Sequence, residues 1–131
     1  MKRVRISFTI PEDIMKKFES IFRKMGYKNR SQAISMAIHD YIVAHKWTEL
    51  KGKISGAILL TYEHHGKIND ELVDVQHHYN DIINASMHIH LNRDNCLEII
   101  AFTGNARKVK ELFKKLQGMG GVLSIKMVTA A

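Results

Sequence analysis

Arg3-Val4-Arg5-Ile6-Ser7-Phe8-Thr9-Ile10-Pro11 alternates without a break, and that alternation decides how the first part of the chain folds. Arg3, Arg5, Ser7 and Thr9 fall on one face of an extended segment, and Val4, Ile6, Phe8 and Ile10 on the other. A period of two with one apolar face is the pattern of a half-buried strand, here with hydrogen-bonding groups turned outward. Pro11 then opens a helix, where a missing N–H costs nothing, and Glu12 and Asp13 follow in the turn that favours acidic residues. Ile14, Phe18, Ile21, Phe22 and Met25 keep helical spacing until Gly26 stops it. A second helix starts at Asn29-Arg30-Ser31, with Asn29 or Ser31 as its cap. It lines Ile34, Ile38, Tyr41, Ile42 and His45 along one stripe.

One strand and two helices in roughly 50 residues bury too little apolar surface to stand alone, and an isolated strand leaves its edge unpaired. Both problems disappear if two chains pair these strands antiparallel and interlock their helices. The charge points the same way. Residues 1–51 hold 11 Lys and Arg against 5 Asp and Glu, whereas residues 52–131 hold 9 against 8. Nearly all of the net charge of +7 therefore sits in the first segment, as expected of a part that meets a polyanion. The pattern Arg5-Ile6-Ser7-Phe8-Thr9-Ile10-Pro11, helix, Gly26-Tyr27-Lys28-Asn29-Arg30-Ser31, helix resembles the ribbon-helix-helix family of DNA-binding proteins. That resemblance implies a two-stranded ribbon entering the major groove of double-stranded DNA. Arg3, Arg5, Ser7 and Thr9 would lie on its DNA-facing side, with Arg5, Ser7 and Thr9 at base edges. Asn29, Arg30 and Ser31 would hold a backbone phosphate at a helix N-terminus.

Lys51-Gly52-Lys53 reads as a junction, which sets the domains at 1–51 and 52–131. Beyond it the patterns predict a buried strand over 54–62 and a helix over 68–83 with Leu72, Val75, Tyr79, Ile82 and Ile83 on its apolar side. Strands at 86–92 and 96–103, a helix at 105–117 and a strand at 122–128 complete the order β-α-β-β-α-β. That order is the split βαβ, ferredoxin-like unit, so the chain is α+β: a βαα ribbon-helix-helix start and a ferredoxin-like, ACT-like end. The Lys-rich stretch 107–115 reads as the solvated face of the last helix. One cysteine makes no internal disulfide. No run approaches the ~20 apolar residues of a membrane span, and the opening residues lack the apolar core of a signal peptide. A cytoplasmic protein without membrane contact is expected.

The segment Met87-His88-Ile89-His90-Leu91-Asn92-Arg93-Asp94-Asn95-Cys96-Leu97-Glu98 carries the chemistry. Residues two apart on a strand share a face, so His88 and His90 point together. A three-residue turn at Arg93-Asp94-Asn95 would pair Asn92 with Cys96 and His90 with Glu98, placing the thiol on the face of both imidazoles, whereas a two-residue turn would place it on the opposite face. Two nitrogens and one sulfur form most of a transition-metal site. Candidates for a fourth ligand are His64 and His65, in a turn before Gly66, and His77 and His78 in the preceding helix. Adjacent helical residues project about 100° apart, so only one of the latter pair aims at a given site.

Gln76-His77-His78, Met87-His88-Ile89-His90 and Asn95-Cys96-Leu97-Glu98 closely resemble the NikR family of nickel-responsive transcriptional regulators. The eleven-residue step from His77 to His88 and the six-residue step from His90 to Cys96 both match. The resemblance implies a planar Ni(II) site, one per subunit, formed by His88, His90 and Cys96 with His77 of a neighbouring subunit. It also implies a homotetramer, a dimer of dimers, that represses nickel uptake genes at a palindromic operator. The donor chemistry agrees. Three nitrogens and a thiolate suit Ni(II), Cu(II) or Zn(II); zinc favours a tetrahedron, and a flat arrangement selects nickel or copper. Gln76 and Glu98 are read as outer partners that orient the ligands. Two positions depart from the family. Gln32 and Met36 stand where members often carry an acidic pair tied to a cation, and Met36 cannot hold a hard cation. Ser124-Ile125 replaces a His-Gly associated with auxiliary metal binding.

Two competing functions share these residues. The same architecture would serve a sensor of another metal or of a small molecule, since ACT-like folds often bind amino acids. A metalloenzyme would need an open coordination position. Four protein ligands fill a planar site, and no Ser/His/Asp set, glycine-rich phosphate loop or unassigned carboxylate pair stands nearby, so the chain is read as non-enzymatic.

Overall fold

A computed structural model describes residues 2–130. The chain divides into two units, one running through Val43 and the other starting at Ala44. In the first, helix α1 (Glu12–Lys24) follows Pro11. Its last turn is closed by Gly26, whose φ of 91° lies in the left-handed region that favours glycine. Helix α2 (Arg30–His45) is capped by Asn29, whose Oδ1 accepts the Gln32 N–H at 2.8 Å. Of the two caps considered, Asn29 is the one used. Phe22 of α1 and Ala33 of α2 are buried.

Residues 3–10 differ from the half-buried strand expected of them. They form no ladder within the chain, and Val4 is 81 % exposed, with Ile6, Phe8 and Ile10 also open to solvent. The reason is elementary: a strand exists by exchanging backbone hydrogen bonds with another strand, and this unit offers none in one chain. Ile14, Ile21, Met25, Ile38 and Ile42 are exposed on the two helices as well.

The second unit holds a four-stranded antiparallel sheet in the order β2-β3-β1-β4. Its elements are β1 (Lys53–Glu63), α3 (Ile68–His78), β2 (Ile83–His90), β3 (Asn95–Asn105), α4 (Ala106–Gln117) and β4 (Val122–Ala130). Even-numbered residues of β1 and β3 face the helices: Ile58, Leu60 and Tyr62 on one strand, and Cys96, Glu98, Ile100 and Phe102 on the other, all buried. Val109, Leu112 and Leu116 of α4 and Leu72 and Val75 of α3 close the core from above. Gly56 falls on the same parity because a Cβ there would run into the Val128 carbonyl oxygen of β4. The segment ahead of β1 belongs to this unit. Trp47, in a short 3-10 helix (Lys46–Glu49), packs on Phe113, and the Lys110 ammonium donates to the carbonyls of Thr48 and Leu50.

The helix expected over 68–83 ends at His78, five residues early. Tyr79, at the C-cap, and Asn80 turn the chain, and Ile83 already belongs to β2. Ile82 and Ile83 happen to continue the helical period, but tertiary pairing overrides it. The carbonyl of Ile82 accepts the Thr103 N–H at 2.9 Å, and its side chain sits where Gly104 leaves room.

Candidate metal centre

Strand pairing sets out the site before any metal is considered. In the β2–β3 hairpin His90 lies opposite Cys96 and His88 opposite Glu98. The expected turn at 93–95 is corrected: the loop is Asn92-Arg93-Asp94, one residue earlier, with Leu91 N–H donating to Asn95 O. Asn92 explains the shift, because its Oδ1 accepts both the Asp94 and the Asn95 N–H at 2.9 Å and so closes the turn itself. Moving the centre of a hairpin by one residue moves each partner by two, so every side chain keeps its face. Cys96 thus remains with both imidazoles, on the side of the sheet that carries the helices. Cys96 is buried, while His88 and His90 on the edge strand are exposed.

His64 joins them. Two residues past Tyr62, it continues the inward parity of β1 beyond the strand end, and its Nδ1 lies 3.3 Å from Cys96 Sγ. His90 Nδ1 is 3.5 Å from the same sulfur. One donor atom from each of His64, His88, His90 and Cys96 lies within 4.8 Å of every other. This is a three-nitrogen, one-sulfur set suited to a late transition metal. Cys96 would serve such a metal as thiolate, with the metal itself promoting the loss of the proton.

Glu98 organises the ring of His88. It is 5 % exposed, and its Oε1 accepts from Gln76 Nε2 at 3.0 Å while Oε2 lies 2.9 Å from His88 Nδ1. With the carboxylate ionised, Nδ1 carries the proton, and the lone pair of Nε2 is left for a metal. Sequence reasoning missed Tyr62, whose hydroxyl is 2.9 Å from the same Nδ1 and 3.5 Å from Glu98 Oε2. Burial, then the charges of Glu98 and Cys96, push its pKa well above the usual phenol range, so the hydroxyl keeps its proton. The signal was the even parity of Tyr62 in β1, the strand that pairs with β3.

His77 stands apart from this cluster. Gln76, its neighbour on α3, turns to Glu98, and a 100° step leaves His77 exposed on the last turn of the helix. An open cleft of about 350 Å³ lies beside the centre, lined by Leu72, Val73 and Gln76 of α3 together with His64, His88 and His90. In the first unit Arg3, Arg5, Ser7, Thr9, Asn29, Arg30 and Ser31 are all exposed. Glu19 pairs with both Arg23 and Arg30 at 3.2 Å, and those hydrogen bonds, Arg30 first, hold its carboxyl below the usual range. Arg30 is therefore oriented along α1 rather than loose.

Fold and site define a two-helix segment followed by an α+β domain with a candidate metal centre. Residues 55–130 match the model of the NikR C terminal nickel binding domain, and residues 4–44 match that of the ribbon-helix-helix proteins of the copG family. The chain belongs to the nickel-responsive regulator family, a family of regulators and not of enzymes. It is 40 % identical over 125 residues to a protein of Methanocaldococcus jannaschii named "Putative nickel-responsive regulator", covering 94 % of this chain and 89 % of that one. A Pyrococcus horikoshii protein of the same name is 39 % identical over 129 residues, covering 98 % and 94 %. Among solved structures, an uncharacterized protein from Thermotoga maritima superposes with a TM-score of 0.57 at 15 % identity, over 61 % of this chain and all of that one. The ACT domain of a Chlorobium tepidum GTP pyrophosphokinase gives 0.50 at 15 % identity over 60 % of this chain and 90 % of that one, a likeness of fold alone. No helix among the described residues is long and apolar enough to cross a membrane.

Proposed function

We propose that this chain is a cytoplasmic, nickel-dependent repressor whose metal centre, shared between subunits, controls its grip on DNA. The observation that carries the proposal is the gathering of three imidazoles and a thiol at one end of a domain whose family is described as nickel binding. Of these, His88, His90 and Cys96 are assigned to nickel. The fourth ligand is assigned to His77 of a neighbouring subunit, with one Ni(II) per subunit. Gln76 supports that assignment: it ties α3 to Glu98, and so to His88, and in doing so turns His77 away from its own chain. Bound nickel would hold donors of two chains at one point, fixing α3 and the interface between subunits. The small-molecule alternative has less behind it, since the cleft beside the centre is edged by the same imidazoles.

Residues 1–51 are assigned to DNA and residues 52–131 to nickel and assembly, in a homotetramer built as a dimer of dimers. The exposed row Val4, Ile6, Phe8 and Ile10 supports pairing between two first units, because a second copy would bury that row and complete the ribbon. Arg5, Ser7 and Thr9, beside Arg3, then face the major groove of each half of a palindromic operator. Asn29, Arg30 and Ser31 lie at the phosphate.

Coupling of this kind is reciprocal: operator raises nickel affinity by the factor that nickel raises operator affinity. Nickel titrated with and without operator should differ by roughly 5- to 150-fold, the usual span of allosteric coupling. Identical nickel affinities in the two titrations would refute control of DNA binding by the metal.

A further inference from the structure

We infer that Lys110 and Trp47 are positioning residues, strapping the segment between the two units onto α4 so that nickel in the second unit acts on DNA held by the first. The inference rests on the proposed control of DNA binding by nickel and adds the part that carries it along the chain. The first unit ends at Val43 and β1 begins at Lys53, so the residues between them are the covalent link from one to the other. A connecting segment of this kind is ordinarily mobile. Here Lys46–Gly52 is fastened along its length. The rings of Trp47 and Phe113 lie 4.6 Å apart between centroids, and Trp47 and Leu50 are both half-buried against the core. Lys110 Nζ donates to the carbonyl of Thr48 at 2.8 Å and to that of Leu50 at 2.9 Å. The carbonyl of Gly52 accepts the N–H of Ala106, the first residue of α4, at 2.7 Å.

Lys110 differs from the other cations of α4. Arg107, Lys114 and Lys115 are exposed and Lys108 turns to Asp81, whereas Lys110 is half-buried with its ammonium held by two backbone oxygens. Those oxygens lie at the end of the short helix Lys46–Glu49, where carbonyls run out of intrahelical donors. An ammonium has donors only, so it closes the strap onto α4 without needing a charged partner. The path back to the metal is continuous. Gln76 ties α3 to Glu98 and so to His88, and Leu72 and Val75 of α3 share one buried cluster with Val109, Leu112 and Phe113 of α4. Close-packed side chains transmit a displacement rather than absorb it, so what nickel imposes on α3 reaches the helix that holds the strap. Released from α4, the run Lys46–Gly52 could extend roughly 23–25 Å, and the first unit would no longer follow the second.

Trp47 is the only tryptophan in the chain, so its fluorescence reports the strap in the full-length protein. Lys110→Met keeps the apolar stem and removes the donors. It is expected to shift Trp47 emission to the red and to speed its quenching by acrylamide. Nickel affinity without DNA, measured by chelator competition, should stay at the wild-type value. The factor by which nickel raises operator affinity should fall from the ~5- to 150-fold of allosteric coupling toward one, and operator should no longer tighten nickel. Lys110→Arg, which can still donate to both carbonyls, should restore the emission and the factor together. A Trp47 as shielded in Lys110→Met as in the wild type would overturn the inference. So would an exposed Trp47 with the nickel factor intact, whether operator binding is unchanged or equally weaker with and without nickel, as for a lost DNA contact. A lowered unfolding midpoint with that factor intact would make Lys110 structural and overturn it as well. Wild-type operator binding indifferent to nickel would instead sink the proposed control itself, and this inference with it.

Discussion

Cys96→Ala should abolish stoichiometric nickel binding while leaving the second unit folded. Cys96 is the only cysteine in the chain, and it sits with 0 % exposure close to the rings of His64 and His90. Its thiolate brings both charge and softness to the set, and three neutral imidazoles hold a late divalent metal far less well. Loss of an outer partner of a metal ligand already costs ~10- to 100-fold in affinity, and loss of the ligand itself should exceed that. An alanine in the same place keeps the apolar character of the core around Tyr62 and Ile100, so circular dichroism should match the wild type. Salt-sensitive, sequence-independent contact with DNA should also persist, because it depends on Lys and Arg of the first unit. Equilibrium dialysis showing wild-type nickel uptake by this variant would remove Cys96 from the centre.

Arg5→Ala should have the opposite profile, with nickel retained and operator recognition lost. Arg5 is exposed at the middle of the alternating segment, and a guanidinium is the side chain that reads guanine in the major groove with two hydrogen bonds. If it makes that contact, its removal costs about 1–3 kcal/mol of discrimination, roughly 5- to 150-fold, at each copy of the recognised base pair. Affinity for unrelated DNA should fall only by the salt-dependent share of one lost charge. Parallel gel-shift titrations on operator and random duplexes separate the two effects. Equal weakening on both sequences would make Arg5 a phosphate contact.

Periodicity made most of this architecture legible. The boundaries of β1, β3, α4 and β4 follow from alternation and helical spacing, and all fall within two residues of expectation. The errors have physical causes. Ile82 and Ile83 extended an apolar helical stripe by accident, and only the pairing of Ile82 with Thr103, far along the chain, shows that α3 has ended. Asn92 outweighed the turn residues after it by accepting two backbone N–H groups, a local effect that sequence spacing does not rank. Residues 3–10 read as a strand because their alternation is real, yet a ladder needs a second strand that the first unit of one chain does not contain.

The site was legible in the same uneven way. His88, His90 and Cys96 came from strand parity, which survives a hairpin shift of one residue. Gln76 and Glu98, expected to orient the ligands, are bonded to each other and through Glu98 to His88. The parity of Tyr62 marked it as inward-facing, but its role depends on β1 lying beside β3, a neighbour relation that local patterning cannot supply. His64 was one of four candidates, and nothing short of the β1–β3 register distinguishes it.

Whether two chains share each nickel is decided by mixing. His77→Ala chains keep His88, His90 and Cys96 but offer no imidazole to a neighbour, and Cys96→Ala chains offer His77 but lack the thiol. Dialysed separately against chelator-buffered nickel, neither should show high-affinity sites. After subunit exchange between the two, high-affinity sites should return, at fewer than one per chain. Mixed tetramers that still bind no nickel tightly would show that His77 and Cys96 do not serve one centre across a subunit boundary.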